Sequence, residues 1–349
     1  MYLFVVYCIL IVLGFFCKES KLVTILIFLF AWILIGWNYD GPDFENNLWR
    51  FETANTWANA ISAMNTDYGY SFLCYIGNSL GLSFMAFKRL LAGVSYILII
   101  SFVFKVGKSP ALIASCYLAS ISLIDVIQIR NFFAMSCILF GFRYLLKPNS
   151  SAIDSFKYSI WVILAASIHI SLAFGLLFLF AKRPIKTWSL VSLLILSLVL
   201  KTYVFDYFTT SLETERYENY RGVSSLSGGL LNTIIFCANA FFLLWISNKG
   251  KKGNNQLMGL FPDATTMINV NLLLLVLIPF LFESGNFTRL LKDILIANYA
   301  FLAIHFHGKK RTLLLVGYAL VFMFYYIIFD ASRTTIFQSV FSCNSFFKL

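Results

Sequence analysis

The chain has 349 residues, of which 60% are hydrophobic and 12% are charged, and its net charge is +11 at pH 7. A soluble domain carries about 25% charged residues, so this composition excludes a soluble globular protein. The positive charge lies in short links between apolar stretches, which is typical of membrane topology and not of a nucleic-acid-binding patch. We therefore expect an all-α polytopic membrane protein that forms a single integral membrane domain over residues 1–349.

The apolar stretches predict about ten transmembrane helices. Continuous runs of Leu, Ile and Phe suit helices, whereas the strands of a membrane barrel alternate between apolar and polar residues. The predicted spans are Tyr2–Phe16, Leu22–Trp37, Phe87–Phe104, Pro110–Ile124, Asn131–Leu146, Trp188–Phe205, Leu230–Ser247, Met267–Phe282, Leu290–Phe306 and Thr312–Phe329. Glycines and an asparagine interrupt residues 68–86, so this segment is predicted to form an interfacial helix.

Residues 158–181 admit two interpretations, a single crossing or a re-entrant, broken helical hairpin that turns near His169. Basic short links stay on the cytoplasmic side of a membrane. The hairpin places 16 of the 27 lysines and arginines on that side, and so the charge distribution favours it. These 16 residues fall within 18–21, 105–108, 143–157, 182–186, 249–252 and 309–311. With arms of about 11 residues that each rise roughly 17 Å, His169 passes beyond the midplane of the membrane.

In this topology both termini lie on the outer face, together with four segments that mix acidic and basic residues (40–52, 125–130, 213–221 and 283–292). The outer loops 38–67 and 206–229 are expected to form the substrate site. Ionisable residues near membrane depth mark a substrate path by default. Arg130 and Arg289 stand at outer ends of spans, and Arg216 and Arg221 flank Tyr217 in the second loop. A guanidinium group binds phosphate oxygens in a bidentate fashion, which predicts an anionic lipid headgroup as ligand. Snorkelling or pairing with nearby carboxylates is the alternative.

His169 is the one histidine within an apolar segment. It is either a proton acceptor or substrate donor, since its pKa lies near working pH, or a structural residue bonded to a neighbouring helix. The first outer loop contains four carboxylates close to tryptophans, a combination that suits sugars, although a solvated acidic loop would look similar. These carboxylates are Asp40, Asp43, Glu45 and Glu52. No metal-ligand motif or phosphate-binding loop is present, so we expect neither a metal nor a cofactor.

The order of these features resembles the EpsG-like group of Wzy-type bacterial polysaccharide polymerases. The resemblance covers nearly the whole chain. It rests on five short segments that follow one another in the same order as in the family. They are Tyr39–Asp43, Asp67–Leu73, Ile129–Ala134, Ser167–Ser171 and the late Arg289.

The resemblance implies a metal-independent, inverting glycosyltransferase in the bacterial cytoplasmic membrane. It would transfer a glycan from undecaprenyl diphosphate to an acceptor repeat unit at the outer face, alongside a flippase and a chain-length regulator. Arg130 and Arg289 would then stabilise the leaving diphosphate, and His169 or Asp43 would accept the proton. The alternatives are a flippase for lipid-linked oligosaccharides and a membrane O-acyltransferase of the same pathway.

Overall fold

The computed structural model describes residues 2–62, 67–211, 225–251, 260–305, 308–328 and 334–347. Within these ranges the regular structure is helical and no strand is present, apart from an isolated bridge between Asn38 and Asn344. The prediction of an all-helical protein is therefore confirmed for the described part of the chain.

In the first half of the chain, the described residues form ten α-helices and one 3-10 helix. Nine of the α-helices precede residue 146, and the tenth leads directly into the 3-10 helix. They are α1 (Tyr2–Phe16), α2 (Lys21–Gly36), α3 (Phe44–Thr53), α4 (Trp57–Ser62), α5 (Tyr68–Ser79), α6 (Phe84–Val106), α7 (Pro110–Ser120), α8 (Ser122–Ile127), α9 (Ile129–Leu145), α10 (Ala152–Ile168) and the 3-10 helix Ile170–Lys182.

The second half contributes the remaining described helices, with short 3-10 or π turns that join some of them. They are α11 (Thr187–Ser211), α12 (Leu226–Lys251), α13 (Ala264–Leu274), the 3-10 turn Leu275–Leu277, α14 (Ile278–Leu281), the 3-10 turn Gly285–Thr288, α15 (Arg289–His305), α16 (Gly308–Met323), the π turn Phe324–Ile328, α17 (Thr334–Ser342) and the 3-10 turn Ser345–Phe347.

Among the described residues, three helical stretches are long and apolar enough to cross a membrane. These are Phe84–Val106, Leu226–Ser247 and Ala264–Leu281, with mean hydropathies of 1.8, 1.9 and 2.0. Shorter apolar helices accompany them, among them Tyr2–Phe16 and Lys21–Gly36. Since a span needs roughly 20 apolar residues, the lengths and compositions are those of a membrane protein.

Two predicted segments have different limits in the structure. The predicted interfacial helix over 68–86 ends at Ser79, because Gly81 adopts a left-handed turn with φ +69° and Ser83 starts α6 by accepting a hydrogen bond from the Ala86 amide at 3.2 Å. The predicted span Pro110–Ile124 divides at Ile121 into α7 and α8. Both differences come from local turns inside continuously apolar sequence, where hydropathy gives no boundary.

The segment around His169 is a broken helical hairpin. Its arms, α10 with 17 residues and the 3-10 helix with 13 residues, are longer than expected and rise about 25 and 26 Å. His169 separates them in an extended conformation, with φ −147° and ψ 105°. Lys182 donates to Ser155 Oγ at 2.7 Å, so the second arm returns to the end from which the first one started.

The hairpin arms and α9 run between two ends of the described structure. At one end the Arg311 guanidinium and the Ser109 amide and hydroxyl donate to the Glu19 carboxylate. At the other end lie the turn at His169 and the start of α9. The helix α9 is almost entirely buried between them, because its Phe, Ile and Leu residues cover all sides, so its first turn is held rigidly. The candidate site lies at this second end.

Candidate functional site

Arg130 lies in the first turn of α9 and forms a buried ion pair with Asp67. Its Nη1 donates to Asp67 Oδ2 at 2.8 Å, and the two side chains are only 10% and 7% exposed. The guanidinium carbon also lies 5.7 Å from the ring centre of the fully buried Tyr70. A buried charge requires a close partner to offset its desolvation, so Asp67 fixes the place of Arg130.

Asp67 also holds the turn of the hairpin. Its Oδ1 accepts a hydrogen bond from the Ile170 amide at 3.1 Å, directly after His169. The close approach depends on Gly69, since a Cβ atom there would lie 2.3 Å from Ser167 Oγ. One carboxylate therefore binds the buried Arg130 side chain through one oxygen and, through the other, the backbone amide that follows the half-buried His169.

A second buried group, which we call the Lys292 network, adjoins this pair and consists of Asp125, Gln128, Asn131, Lys292 and Asp293. Lys292 Nζ donates to Asp125 Oδ1 at 2.7 Å and to Gln128 Oε1 at 3.3 Å. It also lies 3.8 Å from Asp293 Oδ1, which accepts a hydrogen bond from Asn131 Nδ2 at 2.9 Å. The side chains of Lys292 and its two carboxylates are at most 2% exposed. The network thus ties α8 and α15 to the first turn of α9.

Arg289 begins α15 one helical turn before Asp293, which belongs to the Lys292 network. Asp293 in turn is bonded to Asn131, the neighbour of Arg130. The structure therefore places both predicted arginines at the same end of the helices, with Arg289 half-buried and Arg130 buried.

The acidic residues of the first outer loop spread over this end. Asp40 is exposed and borders a pocket that also contains Ile129, the residue before Arg130. Asp43 is half-buried and precedes α3 without capping it, while Glu45 and Glu52 are exposed on α3. Among these carboxylates the structure connects Asp40 most closely with the start of α9.

The second predicted loop contributes less to the described structure. Arg216, Tyr217 and Arg221 lie outside the described residues. Glu283 accepts a hydrogen bond at 2.8 Å from Lys201, which belongs to α11, the helix that leads into this loop. In the described ranges, no three His, Cys, Asp or Glu side chains converge in the manner of a metal site.

The sequence interpretation assigned no role to four charged residues at this end of the structure. Asp67 was part of a family-like segment, but nothing in the sequence indicates its contact with an arginine 63 positions away. Lys292 ends the predicted mixed-charge segment 283–292 and Asp293 follows it, but neither was assigned a role in the site. Lys88, which lines the pocket beside Asp40, lies within the predicted span Phe87–Phe104. The one available signal was that each is an ionisable residue within a predicted span or at its end.

No curated protein and no solved structure matches the chain. The family model described as EpsG family matches residues 21–345, a range that contains Asp67, Arg130, His169 and Arg289. Because the match covers nearly the whole chain, it confirms the resemblance found in the sequence. The protein belongs to the EpsG family.

Proposed function

We propose that this protein polymerises lipid-linked oligosaccharide repeat units at the outer face of the bacterial cytoplasmic membrane. Membership of the EpsG family supports a role of the polysaccharide-polymerase type. The observation that carries the proposal is the shared carboxylate of Asp67, which holds Arg130 on one oxygen and the turn at His169 on the other. A guanidinium and the backbone turn that carries an imidazole, both held by one carboxylate, suit a reaction that expels a diphosphate and removes a proton.

In the proposed reaction an acceptor sugar hydroxyl attacks the anomeric carbon of a glycan carried by undecaprenyl diphosphate. The bond from that carbon to the phosphate oxygen breaks, and the configuration inverts. The leaving diphosphate gains negative charge, which prearranged N–H donors stabilise in a site that excludes water. No metal is required in this scheme.

Arg130 would stabilise the leaving group. In the described part of the chain one of its N–H groups is used by Asp67, so further groups of the planar fork remain for phosphate oxygens. Arg289, at the start of α15, would add a second positive charge on the other side of the Lys292 network. Arg216 or Arg221 would assist from the second loop, with Tyr217 beside them.

His169 would accept the proton of the attacking hydroxyl. Asp67 holds the following amide, and so the backbone that carries the imidazole is fixed. Asp43 is the alternative acceptor, with Asp40, Glu45 and Glu52 as hydrogen-bond acceptors for sugar hydroxyls. General-base catalysis of this kind contributes roughly 10²- to 10⁴-fold in rate.

The proposed topology has about ten spans, with the hairpin re-entering from the cytoplasmic side and both termini outside. The contacts of the described residues support this arrangement. Lys18 and Arg311 belong to predicted cytoplasmic links, and the structure joins these links, since Lys18 donates to Thr312 at 2.6 Å and Arg311 to Glu19 at 3.2 Å. Partners on this view are the lipid bilayer, a flippase that delivers the units and a chain-length regulator.

The proposal is tested by replacing Arg130 or Arg289 with lysine in the native host. Lysine keeps the charge but loses the bidentate fork, and loss of one such donor costs about 10²- to 10³-fold in rate. We expect single lipid-linked repeat units to accumulate on the outer leaflet, where an added glycosidase reaches them. Arg183→Lys, at the exposed end of the hairpin's second arm, is the matched control and should give normal polymer.

Two results would contradict the proposal. If both lysine variants make long polymer at normal protein levels, the two arginines serve only as membrane anchors. Accumulation of single units on the inner leaflet would favour a flippase over a transferase.

A further inference from the structure

Among the described residues, the Lys292 network contains one carboxylate more than it has cations. Lys292 Nζ lies 2.7 Å from Asp125 Oδ1 and 3.8 Å from Asp293 Oδ1, and all three side chains are at most 2% exposed. A buried charge is costly without a close partner, and two carboxylates that share a buried site rarely ionise together. One of these two acids is therefore expected to keep its proton.

The hydrogen bonds of Asp125 indicate that it is the ionised acid. Both of its oxygens accept from a donor, Oδ1 from Lys292 at 2.7 Å and Oδ2 from the Tyr117 hydroxyl at 3.0 Å. An ionised carboxylate only accepts hydrogen bonds, so these two donors suit the charged form. The charges of Lys292 and Asp125 cancel within this pair, and Asp293 is the carboxyl in excess.

Asp293 pairs with an amide in place of a cation at close range. Its Oδ1 accepts from Asn131 Nδ2 at 2.9 Å. Asp293 Oδ2 and Asn131 Oδ1 have no hydrogen-bond partner among the described residues, although each residue is only 2% exposed. Buried polar atoms are nearly always paired, and a proton on Asp293 Oδ2 would make it a donor to Asn131 Oδ1. One proton thus satisfies both oxygens and closes the ring of two hydrogen bonds between an acid and an amide.

We propose that Asp293 carries a proton at neutral pH and thereby preserves the positive charge that the site offers to the diphosphate. The role toward the diphosphate rests on the proposed function. Arg289 lies one helical turn before Asp293 on α15, where side chains four positions apart interact, and its charge acts on Asp293. An ionised Asp293 would cancel part of that charge, whereas a protonated one does not. Asp293 is therefore a positioning residue that acts through Arg289 and through Asn131, the neighbour of Arg130.

The proton of Asp293 exchanges with bulk water, so its loss in alkaline solution is governed by the groups around it. In the described structure the charged, titratable and hydrogen-bonding groups that act on it come from four helices. They are Lys292 and Arg289 on α15, Asp125 on α8 with Tyr117 on α7, and Asn131 on α9.

Infrared spectroscopy of the purified full-length protein in liposomes tests for the proton directly. Aspartate is labelled with carbon-13 at the side-chain carboxyl, so that its bands are assigned by their isotope shift. At neutral pH the parent protein should show the carbonyl stretch of a protonated aspartic acid, which shifts in heavy water, vanishes in alkaline solution and is absent from Asp293→Asn. Asp154→Asn is the matched control and should keep the band, because Asp154 accepts from the Ser151 amide and from Lys147 as an ionised carboxylate.

The pH dependence of polymerisation tests the role of this proton. With the lipid-linked repeat unit of the host in the same liposomes, the parent rate should fall in alkaline solution over the range in which the infrared band vanishes. In Asp293→Asn this loss should be absent, because an amide stays neutral and can form the same ring of two hydrogen bonds with Asn131. The acid side of the profile, where His169 would be protonated, should be the same in both proteins.

Three outcomes would overturn the inference: a parent spectrum without the band, a band that persists in Asp293→Asn, or an equal alkaline loss of rate in parent and variant. A buried water that donates to both oxygens would give the first outcome, because Asp293 would then be ionised. The band does not depend on catalysis, so the two failures are distinguishable. A band without any polymer supports the proton and refutes the proposed function, whereas normal polymer without the band refutes the inference alone.

Discussion

The buried pair of Arg130 and Asp67 can be tested by a double-mutant cycle. The single variants are Arg130→Met, which keeps the aliphatic length of the side chain, and Asp67→Asn, which keeps its shape. The asparagine also retains an amide oxygen for the Ile170 N–H, which Asp67 accepts at 3.1 Å. The double variant then removes both charges and preserves this bond, so the cycle isolates the ion pair.

The expected loss of stability follows from the burial of the two side chains. With side chains only 10% and 7% exposed, loss of one partner leaves the other charge buried and costs about 3–5 kcal/mol. Replacing both charges by neutral groups of similar volume is close to neutral in stability. We therefore expect each single variant to lose about 3–5 kcal/mol and the double variant less than about 2 kcal/mol, which gives a coupling energy of at least about 4 kcal/mol.

The assay is reversible unfolding of the purified protein in mixed detergent micelles. If the losses of the two single variants simply add in the double variant, the pair does not exist as described. Polymer formation provides a second reading of the same variants. The double variant should regain stability but stay inactive, because the guanidinium that we assign to the diphosphate is absent. Restored activity would contradict that assignment.

Three further predictions concern other parts of the structure. His169→Gln, which keeps a hydrogen bond but is no base near neutral pH, should slow polymerisation about 10²- to 10⁴-fold while the protein still inserts into membranes; a normal rate in isolated membranes would make the residue structural. Lys292→Met should destabilise the protein by about 3–5 kcal/mol in the same unfolding assay, because a carboxylate on α8 stays buried without its cation. Burial opposes ionisation of Glu19, yet hydrogen bonds from Ser109 and the charge of Arg311 outweigh it and hold the pKa of this carboxyl below 4.5. The ionised carboxylate contributes at most about 1 kcal/mol to the free energy of unfolding, because the group is so exposed. This contribution should be complete above pH 4.5 and disappear as the pH falls through the lowered pKa. Glu19→Gln should abolish that part of the pH dependence of stability.

Much of the fold was predictable because hydropathy reports burial in lipid directly. The predicted spans Tyr2–Phe16 and Leu22–Trp37 match α1 and α2 within a residue at each end. The limits of other elements were not predictable. The start of α9 at Ile129 places Arg130 inside the helix, whereas the predicted span begins one residue later, at Asn131.

The site was only partly predictable. Arg130 and His169 were identified because ionisable side chains are costly at membrane depth. The structure shows one carboxylate bound to Arg130 and to the amide that follows His169. That carboxylate, Asp67, was not identified as a site residue, because pairing across 63 positions is a property of packing and leaves no local pattern. For the same reason Asn131 and Asp293, which are bonded across 162 positions, look unrelated in the sequence.

The most direct test of the central claim uses the purified protein in liposomes with the lipid-linked repeat unit of its own host, in the absence of ATP and added metal. We predict glycan chains of two or more repeat units and one undecaprenyl diphosphate released for each new linkage, and neither should form with Arg130→Lys. Movement of intact single units between leaflets without any longer chain or free undecaprenyl diphosphate would contradict the claim.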